Sequence, residues 1–144
     1  MRFWTRSRWL FCQAMADPSV AKLNNGVQSR ASADAMARFT GASAEAREGA
    51  IIGPEGVLAT SGQADRWADA GVALLDAADR AAGELSTHAH VATEEGEVFA
   101  VRCGDLAMVA VTPRYTLASL VFADMRAALR HARESSSPPI AEAA

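Results

Sequence analysis

The sequence predicts an α+β fold built on a five-stranded antiparallel sheet, with elements in the order α-β-β-α-β-β-β-α. Three observations carry this. Short apolar runs joined by tight turns occur over residues 49–62 and again over 87–112. Each run is too short for a helix and is bounded by glycine, proline or acidic turn residues. Between and after these runs lie two long stretches with apolar residues at three- and four-residue spacing, the period of an amphipathic helix.

The chain of 144 residues fits one domain with some tail to spare, and half of its residues are apolar. Much of that content is alanine, which predicts a thin core that calls for a partner to complete it. The formal net charge of −3 excludes a general nucleic-acid binder, which carries a basic surplus. Lys22 is the only lysine among the 14 basic residues. Cys12 and Cys103 lie far apart in unlike contexts, which fits a reducing, cytoplasmic compartment better than a structural disulfide. No run approaches the roughly eighteen apolar residues of a membrane-spanning helix.

The first stretch, MRFWTRSRWLFCQAMADPSV, alternates Arg2, Arg6 and Arg8 with Phe3, Trp4, Trp9, Leu10 and Phe11, and no acid precedes Asp17. It is too short and too interrupted by Gln13 for a signal peptide. Met15 opens MADPSVAK, an ordinary cytoplasmic start. Residues 1–14 are therefore open to three readings: a start-site artefact or disordered leader, a segment dipping into an anionic membrane surface, or a structured helix. We take residues 1–18 as a leader, 19–133 as the domain and 134–144 (ending SSSPPIAEAA) as a disordered tail.

Residues 19–48 are helical in composition but interrupted. Val20, Leu23 and Val27 keep helical spacing, and Asn24, Asn25 and Gly26 break it. Ser32 offers a cap for a further turn carrying Met36 and Phe39, which Gly41 ends. One or two short helices are expected. GAIIG then reads as a strand, PEG as its turn and VLATSG as a second strand. Pro54 supplies a fixed φ and Gly56 a permissive one, as a tight hairpin requires.

Residues 64–85 form the clearest helix. Trp67, Gly71, Leu74, Ala78, Ala81 and Leu85 repeat at four-three spacing, with Asp65, Asp69, Asp76, Asp79 and Arg80 mainly on other faces. Asp65 and Asp69 suit the positive end of the helix dipole. Three strands follow. THAHVAT turns at EEG into EVFAVRC, which turns at Gly104-Asp105 into LAMVAVT. The last is apolar at nearly every position and should be central. Pro113 ends the sheet, and residues 116–134 close the fold as a helix with Leu117, Leu120, Val121, Met125, Ala128 and Leu129 inward.

Hairpins join strands one to two, three to four and four to five. The apolar fifth strand pairs with the first, which leaves strands two and three as edges. Strand three has neither lysine nor proline to protect it. An unguarded edge beside a helix with a small-residue stripe invites a second copy of the chain. The expected dimer interface comprises Trp67, Gly71, Leu74, Ala78, Ala81, Leu85, His88 and His90.

The ordered set GAIIGPEGVLATSG, DRWADAGVALLDAADRAAGEL and HAHVATEEGEVFAVRCGDLAMVAVTP, with the helix after it, resembles the roadblock/dynein light-chain family over residues 49–133. The shared cues are the Gly-Pro-Glu-Gly turn, the acidic EEG turn, and Gly-Asp leading into an apolar strand. Residues 1–48 depart from the pattern, because the family places one unbroken helix before strand one. The resemblance implies a profilin-like sheet with helices on both faces, and dimers joined through strand three and the second helix. It also implies a non-catalytic regulator of a Ras-like small GTPase, often encoded near such a GTPase or a sensor kinase.

Candidate chemistry is sparse. His88 and His90 share a strand face and suit a metal, but a site needs a third ligand, and nothing places Cys103 or His131 nearby. Cys103 lacks a base and reads as a packing residue. Ser61 in ATSG is not a nucleophile elbow. The Walker phosphate loop is absent, so the chain is not itself the GTPase. The carboxylates of the second helix read as a solvated face. Trp67 reads as a core or dimer anchor. Arg102, opposite in facing to Val101 and Cys103, could reach a partner as an arginine finger. No catalytic, cofactor or metal residues are assigned, and no cofactor is expected. The leading reading is a homodimeric adaptor or scaffold for a Ras-like GTPase. The alternative is a small-molecule-sensing module that signals to a kinase, which would need a concave apolar pocket.

Overall fold

The computed structural model describes residues 18–43, 46, 48–62 and 64–137. The leader, the choice between Met1 and Met15, Cys12 and the tail beyond Ser137 lie outside the described residues. Eight elements follow in the expected order: α1 (Pro18–Ala42), β1 (Glu48–Gly53), β2 (Gly56–Ser61), α2 (Ala64–Ala82), β3 (His88–Ala92), β4 (Glu97–Cys103), β5 (Leu106–Thr112) and α3 (Ala118–Ser136).

The sheet is wholly antiparallel in the order β2-β1-β5-β4-β3. The most apolar strand, β5, lies at its centre, and β2 and β3 are its edges, as the hairpin argument requires. Gly53 and Gly56 face each other across the first corner, with Gly56 at φ 132°. A bulge follows at once, because Ile51 pairs with Ala59 and Ile52 with Val57. Leu58 is the extra residue, so both Leu58 and Ala59 pack on the same core.

The two faces of the sheet are covered unequally. On one, α1 and α3 bury Ala35, Met36, Phe39, Val121, Met125, Ala128 and Leu129 against Ile51, Phe99, Met108 and Ala110. Complete burial of a side chain such as Phe99 or Leu129 contributes about 1.5–3 kcal/mol. On the other, α2 is the one described helix that packs on Ala50, Ile52, Val109, Ala89 and Ala100.

Three expectations are corrected. The N-terminal region is one helix of 25 residues, not one or two short ones. Gly26 is exposed with nothing within 4 Å of where a Cβ would stand, and the helix runs through it without a break. Ser32 is not a cap but a fully buried mid-helix residue whose Oγ has no hydrogen-bond partner among the described residues. The family pattern of one unbroken helix before β1 therefore holds here. Second, α2 stops at Ala82, because Gly83 takes φ 74° and donates its N–H to Asp79 O, the left-handed ending that glycine favours. Leu85 thus lies beyond the helix. Third, Leu117 and Leu120 are not inward but 61% and 60% exposed. Leu117 is the N-cap of α3, and the buried line Val121, Met125, Ala128, Leu129 and Ala132 puts Leu120 about 100° off the packed face. The same helix runs to Ser136, past the boundary drawn at Glu134.

Candidate functional site at the β3 edge

Among the described residues β3 pairs with β4 alone and borders the sheet. Its alternation sends Ala89 inward against Leu75 and Ala100 on the α2 face. His88 and His90 point to the opposite face, toward α3. Val91, on the α2 face with Ala89, is 41% exposed. It pairs with Val98, Val98 with Val111, and Val111 with Glu48, so three valines form a row across β3, β4 and β5.

Helix α2 overlooks that row. Trp67 Nε1 donates a hydrogen bond to the Glu48 carboxylate at the row's end, and Trp67, like Val98, packs against the cluster of Ala50, Ile52 and Val109. Gly71 meets Val109 directly: a Cβ there would stand 2.9 Å from Val109 Cβ. Leu74 and Ala78 pack over Leu75, Ala89 and Ala100. Trp67, Gly71, Leu74 and Ala78 thus lie against the chain's own sheet. Ala81 and Leu85 are exposed. On the flank beside Leu74, Ala70, Ala73, Ala77 and Ala81 are exposed at three- and four-residue spacing. That alanine line was legible in the sequence, but a period count drawn through Trp67 selects the helix's inner face instead.

The approach to the edge is held by an ion pair. Arg102 donates through Nη1 to Asp79 Oδ1 at 3.1 Å and to Ser86 O at 2.9 Å, and through Nη2 to Asp79 Oδ2 at 3.2 Å. The Ser86 N–H adds a bond to Asp79 Oδ1 at 2.7 Å. Burial pushes the Asp79 carboxyl up, but the Arg102 and Ser86 hydrogen bonds and the Arg102 charge outweigh it and hold the pKa below its ordinary value. Arg102 fastens the segment between α2 and β3, a structural contact that engages the group considered for an arginine finger.

On the other face the histidines have defined neighbours. His90 stacks on Phe99 with ring centroids 4.3 Å apart, and His88 meets Phe122 edge-on at 5.0 Å. His90 Nε2 lies 2.9 Å from Glu97 Oε2, and Glu97 Oε1 accepts the Tyr115 N–H at 2.7 Å. Glu97 is a buried carboxylate, 8% exposed. It holds Tyr115 in a left-handed conformation at φ 65°, which is uncommon for a non-glycine residue. This three-part link was not read from the sequence, since it needs β4 and the loop after β5 to meet.

Elsewhere, Cys103 has Arg133 as its neighbour, with Nη1 at 3.4 Å from Sγ, rather than a base. That contact raises the Arg133 pKa. His131 Nε2 lies 2.6 Å from Asp34 Oδ2 and joins α3 to α1. His131 and Arg38 together lower the Asp34 pKa. Among the described residues no three His, Cys, Asp or Glu side chains are grouped to hold a metal. An open cleft of about 450 Å³ lies between Gln28, Asp105 and the end of α3, walled by Arg130, Arg133 and Glu134. Its lining is polar and charged, unlike the apolar pocket that a metabolite-sensing module needs. No described helix is long and apolar enough to cross a membrane.

An αβ scaffold with one two-helix face, one single-helix face and an open third-strand edge is a recognised architecture among solved structures. It is the roadblock/LC7 fold. A roadblock/LC7 domain from Streptomyces avermitilis superposes with TM-score 0.63 at 13% identity, over 71% of this chain and 94% of that one. Myxococcus xanthus MglB gives 0.59 at 13% identity, over 78% and 94%. The gliding protein MglB of Thermus thermophilus gives 0.58 at 14% identity, over 76% and 90%. No family model matches the sequence, and no curated protein is similar to it.

Proposed function

We propose that the chain is a non-catalytic homodimeric adaptor that regulates a Ras-like small GTPase. The observation that carries this reading is the pairing of an open β3 edge with an exposed small-residue flank of α2 on one side of it. Two copies joined antiparallel at β3 would extend the sheet across the dimer and bring the alanine flanks of the two α2 helices together over the valine row. Of the residues expected at the interface, Ala81, Leu85, His88 and His90 border the seam. Trp67, Gly71, Leu74 and Ala78 support it by fixing α2 on the sheet.

The GTPase partner follows from the roadblock resemblance, and the fold shared with the two MglB proteins supports it. An adaptor of this kind acts by differential affinity for the two nucleotide states and needs no catalytic group of its own. Affinity capture from native lysate loaded with GTP or GDP analogues, followed by mass spectrometry, tests it. The expected result is a small GTPase retained in one nucleotide state. A chain that stays monomeric and retains no GTPase in either state contradicts it.

A further inference from the structure

We propose that His88 and His90, together with the same two histidines of a second copy, form a zinc site across the dimer seam. The inference rests on the β3-edge dimer proposed above and adds a ligand to it.

The two histidines are two residues apart on an edge strand, so both imidazoles lie on one face of the sheet. Within one chain the pair is not part of any group of three described His, Cys, Asp or Glu side chains that could hold a metal. Antiparallel pairing of β3 with its copy changes the count. Side chains opposite each other across an antiparallel pair point to the same face, with Cα atoms about 4.5–5.5 Å apart. A dyad through Ala89 sets each His88 opposite the other copy's His90. A dyad through His90 sets the two His90 residues face to face, with His88 on the diagonals. The dyad through Ala89 brings all four imidazoles together on one face, the number a tetrahedral zinc ion takes, whereas the dyad through His90 leaves the two His88 residues about 14 Å apart along the strands, too far to share an ion.

Each ring already has one nitrogen engaged. A carboxylate can only accept, so His90 donates its Nε2 proton to Glu97, which leaves Nδ1 with its lone pair. A carboxylate behind a histidine is the usual support of a zinc ligand, because it fixes the tautomer and raises ring basicity. Glu97 is itself fixed by the Tyr115 N–H. His88 has Nδ1 3.2 Å from the Thr87 hydroxyl, which leaves Nε2 for the metal. Phe99 and Phe122 wall the rings with apolar surface, which partly excludes water from the site. Imidazole-only ligation suits zinc and excludes calcium and magnesium, which take oxygen ligands.

The test uses the full chain without a polyhistidine tag. Sedimentation equilibrium is run in EDTA and in zinc chloride, and bound zinc is counted after dialysis. Cobalt replaces zinc for a visible spectrum. We expect one zinc per two chains, a dimer dissociation constant lowered at least about tenfold by zinc, and a tetrahedral cobalt spectrum. The double variant His88→Gln, His90→Gln should lose the metal and the tightening that zinc gives, read as the ratio of its dissociation constants in EDTA and in zinc. A dimer in EDTA that zinc neither binds nor tightens overturns the site and leaves the dimer reading intact. Monomer under both conditions overturns the dimer reading and the site with it. Zinc bound equally by the double variant overturns the assignment of these residues. Monomer in EDTA that zinc converts to dimer, lost in the double variant, supports the site.

Discussion

Gly71 is the residue on which the seating of α2 depends. In a solvated helix, alanine would be better than glycine by about 1 kcal/mol. Here the added Cβ meets Val109 Cβ at 2.9 Å, an atom next to the backbone of the central strand that cannot swing aside. Gly71→Val should therefore destabilise the fold by about 1–3 kcal/mol, measured by urea unfolding. Asp79 makes a second residue-scale prediction. Its folded pKa is depressed below the ordinary value of 3.8, so its contribution is present above that pH and is lost as pH falls through the folded value. Asp79→Asn should cost about 1–3 kcal/mol at neutral pH. The difference between wild type and variant should shrink as the solution is acidified below about pH 4. A gap that stays constant down to pH 3 would show that the carboxylate's charge contributes nothing.

Among the elements, α1 and α3 show where sequence reading succeeds and where it stops. The strands were legible because Ile51, Ile52 and the run Leu106–Val111 leave only one way to bury them, and glycine and proline mark the corners between them. The length of α1 was not. Alanine on every face gives that segment little apolar contrast, so Gly26 and Ser32 looked like breaks. The helix runs through them because Ala35, Met36 and Phe39 pack against α3, which no local pattern records. The same holds for the site: the small residues of α2 were visible, but which of its faces meets the sheet was settled by Gly71 and Val109 together. Three substitutions check these element assignments. Gly26→Ala meets open space and should raise helix content and stabilise α1 by about 1 kcal/mol, read by circular dichroism and hydrogen exchange. In α3, Met125→Ala should cost about 2–5 kcal/mol, because Met125 is fully buried. Leu120→Ser, on an exposed position, should stay within about 0.5 kcal/mol of wild type. Equal losses at the two positions would mean that the register of α3 differs.

At the scale of the molecule, the two faces of the sheet have unequal cover. Two helices bury Phe39, Phe99, Met108 and Leu129 on one side, while on the other α2 alone crosses five strands and leaves Val57, Val72 and Val91 exposed. A second α2 beside the first would cover Val91, and a second β3 would satisfy the open edge. Both demands are met by one two-fold axis, which is why we expect dimerisation to respond to either surface. Val91→Lys puts a charge on the edge strand at a site that is partly solvated in one chain. It should leave monomer stability within about 0.5 kcal/mol and prevent edge pairing. Ala77→Arg fills the alanine flank and should have the same effect from the helix side. Val91→Thr keeps a β-branched side chain without charge and should remain dimeric. Light scattering after gel filtration reads the outcome directly, with the 15.1 kDa chain expected at twice that mass for wild type and Val91→Thr, and at its own mass for the two charged variants. Retention of the dimer by both charged variants would move the interface away from β3 and α2, and would remove the basis for gathering four histidines at that edge.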